Sequence, residues 1–144
     1  MKVFAVITRD RPKIVRVARQ GMPGPPGSAP TITPAAAIAL GGHRVIVLNG
    51  DGEAIYADHS IVAHAGRAIG ITTGAAEEGE LVTVQTGGDI TEPSWTWDTE
   101  LPIFLSTNGQ LTQTAPNTGF TQQIAVPVTA TRILIDLQTP FIRG

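Results

Sequence analysis

Residues 44–57 read Arg44-Val-Ile-Val-Leu-Asn-Gly-Asp-Gly-Glu-Ala-Ile-Tyr-Ala57, and this stretch decides the fold class. Two short segments rich in Val and Ile, residues 44–48 and 53–57, flank four residues of the turn-forming type. An Asn-Gly pair tolerates positive φ and is typical of tight hairpin turns. The stretch therefore predicts two antiparallel strands joined by a turn at residues 49–52.

The same alternation of short apolar segments and turn signals continues on both sides of this hairpin. The chain has 144 residues with 16 glycines and 11 prolines, about a fifth of the total, so turns must be frequent. Helix is expected at most as a turn or two, at residues 58–64 or 75–78. The predicted strands are residues 36–40, 44–48, 53–57, 68–73, 80–86, 102–105, 110–114, 122–128 and 132–137. This spacing predicts an all-β head over residues 35–144, a β-barrel or a sandwich.

The predicted core of this head is thin and aliphatic. The whole chain has only four Phe, two Trp and one Tyr, and most of the predicted strands contain no aromatic residue. A small head of this kind has modest stability as a monomer, which favours burial of its surface between subunits.

Residues 21–34 are rich in Gly and Pro and contain Gly21, Gly24 and Gly27 at a period of three. Glycine at each third position is what a collagen triple helix requires, because only a hydrogen fits at its crowded axis. Two interpretations remain: an extended linker, or three chains running side by side at a trimer axis. In either case about a dozen residues at roughly 3.1 Å each form a stiff spacer on the order of 35–40 Å long.

Residues 1–20 are strongly basic. The segments 2–8 and 13–19, joined by Arg9-Asp10-Arg11-Pro12, predict a small β-hairpin arm. The cations, opposed only by Asp10, are Lys2, Arg9, Arg11, Lys13, Arg16 and Arg19. The arm therefore carries a net charge of +5, whereas residues 21–144 carry −7. This asymmetry favours an arm that docks on an acidic surface of protein or nucleic acid, although the cations could also simply solvate two exposed strands. An isolated hairpin is marginal in water, so the arm is expected to need a partner surface.

Little in the sequence indicates catalysis, a metal or a cofactor. The chain has no cysteine, which excludes disulfides, zinc-thiolate sites and cysteine nucleophiles. His43, His59 and His64 show no metal-binding spacing, and residues 49–53 fit a hairpin turn better than a calcium loop. No serine lies in a nucleophile elbow, and no run of 18 apolar residues predicts a membrane helix. Charge returns at Arg9, too early for a secretory signal peptide. We expect a protein that is not an enzyme, with no cofactor.

Trp95 and Trp97 form the one concentrated aromatic site, with Asp98 beside them. In a strand both indoles would share a face, and an exposed pair could stack a sugar while Asp98 accepts hydrogen bonds from its hydroxyls. The alternative is that both side chains close the head or seal a subunit interface, where Trp is enriched. Both hypotheses remain open from the sequence.

The order of the parts, a basic arm, a Gly-x-y spacer and a β-rich head, resembles the head-decoration (cement) and head-fibre proteins of tailed bacteriophages. Residues 60–140 carry most of this likeness, in AIGITTGAAEEGELVTVQTGGDI (68–90), PIFLSTNGQLTQTAP (102–116), GFTQQIAV (119–126) and RILID (132–136).

This resemblance implies a β-barrel or β-tulip-like head and a homotrimer on the outer surface of the capsid in the virion. It also implies attachment to the major capsid protein through residues 1–20, without nucleic acid or membrane as a partner. The alternative function is a tail-fibre or adhesin domain that binds a host-surface glycan through its tryptophans.

Overall fold

A computed structural model describes residues 29–143, and they form an all-β head. The longest strand has seven residues, and two single turns of 3₁₀ helix, Val62–His64 and Thr107–Gly109, interrupt the strands. None of the helices in this part of the chain could cross a membrane. The strands are β1 (Thr31–Ile32), β2 (Val45–Leu48), β3 (Ala54–Tyr56), β4 (Gly70–Thr72), β5 (Val84–Gln85), β6 (Asp89–Thr91), β7 (Ile103–Leu105), β8 (Leu111–Thr112), β9 (Phe120–Thr121), β10 (Gln123–Thr129), β11 (Arg132–Ile135) and β12 (Phe141–Ile142). The all-β prediction is confirmed for the described residues.

The first sheet is antiparallel, with strand order β1-β5-β4-β2-β3. Its central hairpin, β2–β3, is the one that residues 44–57 predict, with Ile46 opposite Tyr56. Asn49 closes the turn because its side-chain Oδ1 accepts hydrogen bonds from the backbone N–H groups of Asp51 and Glu53, both at 2.9 Å. The positive φ of this turn lies at Gly52 (78°) rather than in the Asn49-Gly50 pair.

The second sheet is also antiparallel, with strand order β6-β11-β10-β7-β8. Its longest element is the β10–β11 hairpin, in which Val126 lies opposite Leu134. β9 and β12 form a separate two-stranded sheet, in which Phe141 lies opposite Thr121. The C-terminal segment is thereby held against the chain just before β10.

Strand β2 contributes side chains to both hydrophobic cores of the head. Successive side chains of a strand point to opposite faces, so Val45 and Val47 lie on one face and Ile46 on the other. Val45 and Val47 join a larger core with buried residues of the second sheet, among them Ile103 and Ile133. Ile46 joins a smaller core, which also contains Leu40, Ala54, Val82 and Val84. β2 is therefore buried on both faces, which accounts for its uninterrupted Val-Ile-Val-Leu sequence.

Residues 36–40, predicted as a strand, make only isolated bridges. The backbone N–H of Ala36 bonds to Glu80, that of Ala37 to Ala54 and that of Leu40 to Ala76. Because these partners belong to different segments, no continuous ladder forms. Conversely, the sequence did not predict β1, β6, β9 and β12, each of two or three residues.

The predicted arm, residues 1–20, lies outside the described residues, as does most of the spacer. The described part of the spacer, residues 29–34, runs along the edge of the first sheet. There Thr31 pairs with Gln85, Ile32 pairs with Val84, and Pro34 accepts a hydrogen bond from the backbone N–H of Val82 at 2.9 Å. The chain thus enters the head through an edge strand.

Candidate functional site

Trp95 and Trp97 lie in the loop between β6 and β7 rather than in a strand, and hydrogen bonds fix that loop at several points. The backbone N–H of Trp97 donates to the carbonyl of Ala130 at 2.9 Å, and that of Trp95 donates to Glu92 at 3.0 Å. The side-chain amide of Gln113 donates to the carbonyls of Asp98 (2.7 Å) and Leu101 (2.9 Å). Its oxygen accepts from the backbone N–H of Asp98 at 3.0 Å. The loop therefore presents the indoles from a fixed backbone.

The two indoles contact each other and a histidine from a distant part of the chain. The ring centroids of Trp95 and Trp97 are 5.7 Å apart at an interplanar angle of 57°, and those of His43 and Trp95 are 5.0 Å apart at 55°. Such tilted arrangements are favourable for aromatic pairs. Both tryptophans are half-buried and pack against the larger core, and the indole N–H of Trp97 is buried without a hydrogen-bond partner among the described residues. The pair thus combines a packing role with partly exposed surface.

His43 reaches Trp95 from an unusual backbone conformation. Its φ is +57°, and among residues 29–143 the only other non-glycine residue with positive φ is Asn108. The conformation is held by the backbone N–H of His43, which donates to the carbonyl of Thr72 at 2.7 Å. Residues in strained backbone conformations persist only where neighbouring contacts hold them, and they are found preferentially at functional sites.

An open cavity of about 420 Å³ lies beside this aromatic cluster. It is formed where three segments that are far apart in the sequence meet. Its apolar side consists of Trp95, Trp97 and Leu111, and its polar side of His43, Arg44, Ser106 and Gln110. A second cavity of about 280 Å³, next to Ser94, Thr96 and Gln113, also borders both tryptophans. Both tryptophans therefore line two cavities.

The charges near the larger cavity are already partly engaged. The guanidinium of Arg44 donates to the carbonyl of Asn108 at 2.9 Å and lies 5.2 Å from the ring centroid of Tyr56. The carboxylate of Glu92 lies 4.0 Å from Nδ1 of His43. Hydrogen bonds from the hydroxyl and the backbone N–H of Ser94 lower the pKa of Glu92 below its ordinary value. The carboxylate is thus held in its charged form beside the imidazole.

A second surface feature is an apolar groove at the C-terminal strand. Phe141 is 71% exposed and Ile142 is 61% exposed, and as neighbours in β12 they point to opposite faces. A cavity of about 420 Å³ here has Phe104, Ala115 and Phe141 as its apolar lining. We call this the C-terminal groove. Arg143 anchors the strand, because its Nε donates to Thr121 Oγ1 at 2.8 Å.

The other two histidines, His59 and His64, form hydrogen bonds in the turn after β3. Nδ1 of His64 accepts a hydrogen bond from the backbone N–H of Asp58 at 3.2 Å, whereas Nδ1 of His59 lies 3.1 Å from the carbonyl of Thr118. Burial, followed by the nearby charge of Arg67, lowers the pKa of His64, although Asp58 opposes this. Within residues 29–143 no group of His, Asp and Glu side chains could hold a metal ion.

Asp58 itself ties this turn to the second 3₁₀ turn. Its Oδ1 accepts from the hydroxyl and the backbone N–H of Ser60, and its Oδ2 accepts from the backbone N–H of Asn108 at 3.1 Å. Partial burial raises the pKa of Asp58, but these hydrogen bonds together lower it below the ordinary value. The carboxylate therefore stabilises the loop as an anion.

Of the site residues predicted from the sequence, Trp95, Trp97 and Asp98 are described; Asp98 is exposed, and its Oδ1 accepts a hydrogen bond from the backbone N–H of Glu100 at 2.9 Å. Gly21, Gly24 and Gly27 lie outside residues 29–143, as do the arm cations Lys2, Arg9, Arg11, Lys13, Arg16 and Arg19. No sequence motif pointed to His43 or Gln110, since both join this site only through tertiary structure. The adjacent apolar residues Phe141 and Ile142 were a visible signal for the C-terminal groove.

No family model matches the chain, and no curated protein matches it significantly.

Proposed function

We propose that this chain is a structural virion protein that decorates the outer surface of a bacteriophage capsid as a homotrimer. Its N-terminal arm attaches it to the major capsid protein. We also propose that the head closes into a barrel- or β-tulip-like form. The observation that carries it is the order of the parts. A segment of net charge +5 and a Gly-x-y segment precede an all-β head of net charge −7.

The position of β1 supports a head that is tethered at one edge. Thr31 and Ile32 pair with β5 as the outermost strand of the first sheet, so the described chain begins at that edge of the head. The arm is basic, which favours its docking on a surface of negative charge. A tether at an edge leaves the rest of the head surface available for contacts between subunits.

The C-terminal groove supports self-association. Phe141 and Ile142 expose apolar surface on both faces of β12, and a two-stranded sheet such as β9–β12 is marginal by itself. The occupant that fits is a second copy of this chain, because the period of Gly21, Gly24 and Gly27 suits three identical chains at one axis. Burial of Phe141 against a neighbouring subunit removes the most exposed large apolar side chain of the described head from water.

Attachment through the arm is tested by co-sedimentation with capsid shells that lack this protein. The full-length chain is expected to pellet with the shells, and raising the salt concentration is expected to weaken the contact, because exposed charges are screened beyond roughly 8–10 Å. A full-length variant with five arm cations replaced by Gln is expected to stay in the supernatant. The replaced residues are Arg9, Arg11, Lys13, Arg16 and Arg19.

The matched control removes exposed cations from the head instead. The double variant Arg67→Gln and Arg132→Gln is expected to pellet like the unmodified protein. Arg132 forms only an exposed ion pair with Asp89 at 2.7 Å, and such pairs contribute little to stability. Undiminished pelleting of the arm variant, or its loss in the head variant, would show that attachment lies elsewhere.

A further inference from the structure

The aromatic cluster of His43, Trp95 and Trp97 offers a surface on which a ligand can stack, and it is not only a packing contact of the core. We call this cluster the aromatic platform. Core residues are enclosed, whereas Trp95 and Trp97 line two open cavities, one of about 420 Å³ and one of about 280 Å³. Ligand sites of small molecules are concave, and they combine aromatic or apolar walls with a few polar groups that fix orientation. The cavity of 420 Å³ is open, and its lining combines the apolar Trp95, Trp97 and Leu111 with the polar Ser106 and Gln110.

The platform is also ordered before any ligand arrives. Hydrogen bonds of Gln113 to Asp98 and Leu101 hold the loop that bears the indoles. His43 is held against Trp95 by a backbone with φ of +57°. Side chains that are already immobilised lose little conformational entropy on binding, so weak individual contacts are enough to retain a ligand.

Both charged and neutral polar groups surround the cavity. Arg44 lines it, and part of the hydrogen-bonding capacity of its guanidinium is used by the carbonyl of Asn108 at 2.9 Å, while the ring of Tyr56 lies 5.2 Å away. The Glu92 carboxylate, 4.0 Å from the His43 ring, repels negative charge. The amide of Gln110 and the hydroxyl of Ser106 are neutral groups, each of which can both donate and accept hydrogen bonds.

We propose that this cavity binds a neutral sugar ring of a glycan. The apolar face of the ring stacks on the exposed indole surface, and its hydroxyls exchange hydrogen bonds with Gln110 and Ser106. The second cavity extends the surface to a neighbouring sugar unit next to Thr96 and Gln113. This binding activity is separate from attachment to a shell and does not depend on it.

The test uses the fluorescence of the full-length protein, because Trp95 and Trp97 are the only tryptophans in the chain. The probes are neutral oligosaccharides of three to six glucose, galactose or mannose units, with sialylated and sulfated oligosaccharides as anionic counterparts. At least one neutral probe is expected to produce a saturable change in emission. Its binding is expected to be tighter than that of the anionic probes.

Variants locate the site. Gln110 is exposed, so Gln110→Ala is expected to fold normally and to raise the Kd about two- to tenfold, the loss of one hydrogen bond. The matched control is Gln138→Ala, an exposed glutamine at the C-terminal groove, which is expected to leave the Kd unchanged. The proposal is overturned by the absence of any saturable response to neutral probes. It is equally overturned by tighter binding of anionic probes, or by an unchanged Kd in Gln110→Ala.

Discussion

Gly119 is the residue at which one added methyl group is expected to disturb the head most clearly. Its φ is +64°, and an added Cβ would collide with the backbone carbonyl of His59. That same carbonyl accepts a hydrogen bond from the backbone N–H of Phe120 at 3.0 Å, and Phe120 is fully buried. The carbonyl of Gly119 accepts from the backbone N–H of Arg143 at 2.8 Å. The substitution Gly119→Ala therefore affects both the larger core and the anchoring of β12.

The expected magnitude has two parts. The left-handed conformation costs a non-glycine residue about 1–2 kcal/mol. Displacement of the His59 carbonyl leaves a buried N–H without its partner, which costs about 1–3 kcal/mol more. The free energy of unfolding is thus expected to fall by roughly 2–5 kcal/mol, a large part of the ~5–15 kcal/mol typical of a domain. The assay is urea denaturation followed by tryptophan emission, with an unchanged m-value as the sign that only stability has changed.

Two other glycines separate these contributions. Gly79 has φ of +87° with no atom within 4 Å of the added Cβ, so Gly79→Ala is expected to lose only the conformational part, about 1–2 kcal/mol. Gly50 has neither a positive φ nor a neighbour within 4 Å, and Gly50→Ala is expected to be nearly neutral. If Gly119→Ala unfolds at the same urea concentration as Gly79→Ala, the collision with His59 does not exist and the reasoning is refuted.

Three further predictions concern the histidine, the C-terminal groove and the tryptophans. The folded state lowers the pKa of His64, so the unfolded chain binds the proton first and stability is expected to fall as the pH drops below about 6.5; urea titrations at pH 7.5 and 5.5 measure this. In the variant His64→Asn, the free energy of unfolding is expected to differ less between pH 7.5 and pH 5.5. The variant His59→Asn is expected to keep the difference of the unmodified protein. If both variants behave alike, His64 is not the source of the pH dependence. Phe141→Ser is expected to reduce the mass measured by light scattering from about 45 kDa, three chains, to that of one 15.1 kDa chain. Because Phe141 is 71% exposed, the circular dichroism spectrum is expected to stay unchanged. A mass that stays at three chains would show that the C-terminal groove is not part of the subunit interface. Trp97→Ala is expected to lower the free energy of unfolding by about 2–4 kcal/mol, somewhat less than for a fully buried tryptophan, and an unshifted urea midpoint would contradict packing on the larger core.

The sequence was most informative where the local pattern and the tertiary structure agree. The run Val45–Leu48 followed by Asn49 predicted the β2–β3 hairpin, because β-branched residues and a turn signal act locally. The same logic failed for residues 36–40, whose hydrogen bonds go to different segments in turn. It also failed for the two-residue strands β1, β9 and β12, because a strand of two residues has no alternation to detect.

The candidate site was only half visible in the sequence. Trp95 and Trp97 were noticed as an aromatic pair, but the strand that would place them on one face is a loop in the structure. Trp95 also contacts His43, which is more than fifty residues away and has a φ that no local motif predicts. Gln110 joins the same cavity only because β8 pairs with β7 in the second sheet. Sites assembled from distant segments depend on tertiary packing, which the pattern of a single segment does not encode.

The proposed role in decorating a capsid is best tested by the position and copy number of this protein in purified virions of the proposed phage. Gold-labelled antibody against the head domain gives the position by electron microscopy, and quantitative gel analysis gives the number of chains relative to the major capsid protein. We expect label over the whole outer surface of the shell and a copy number that is a multiple of three per attachment site. Label confined to the tail, or absence of the protein from the virion, would contradict a role in decorating the capsid.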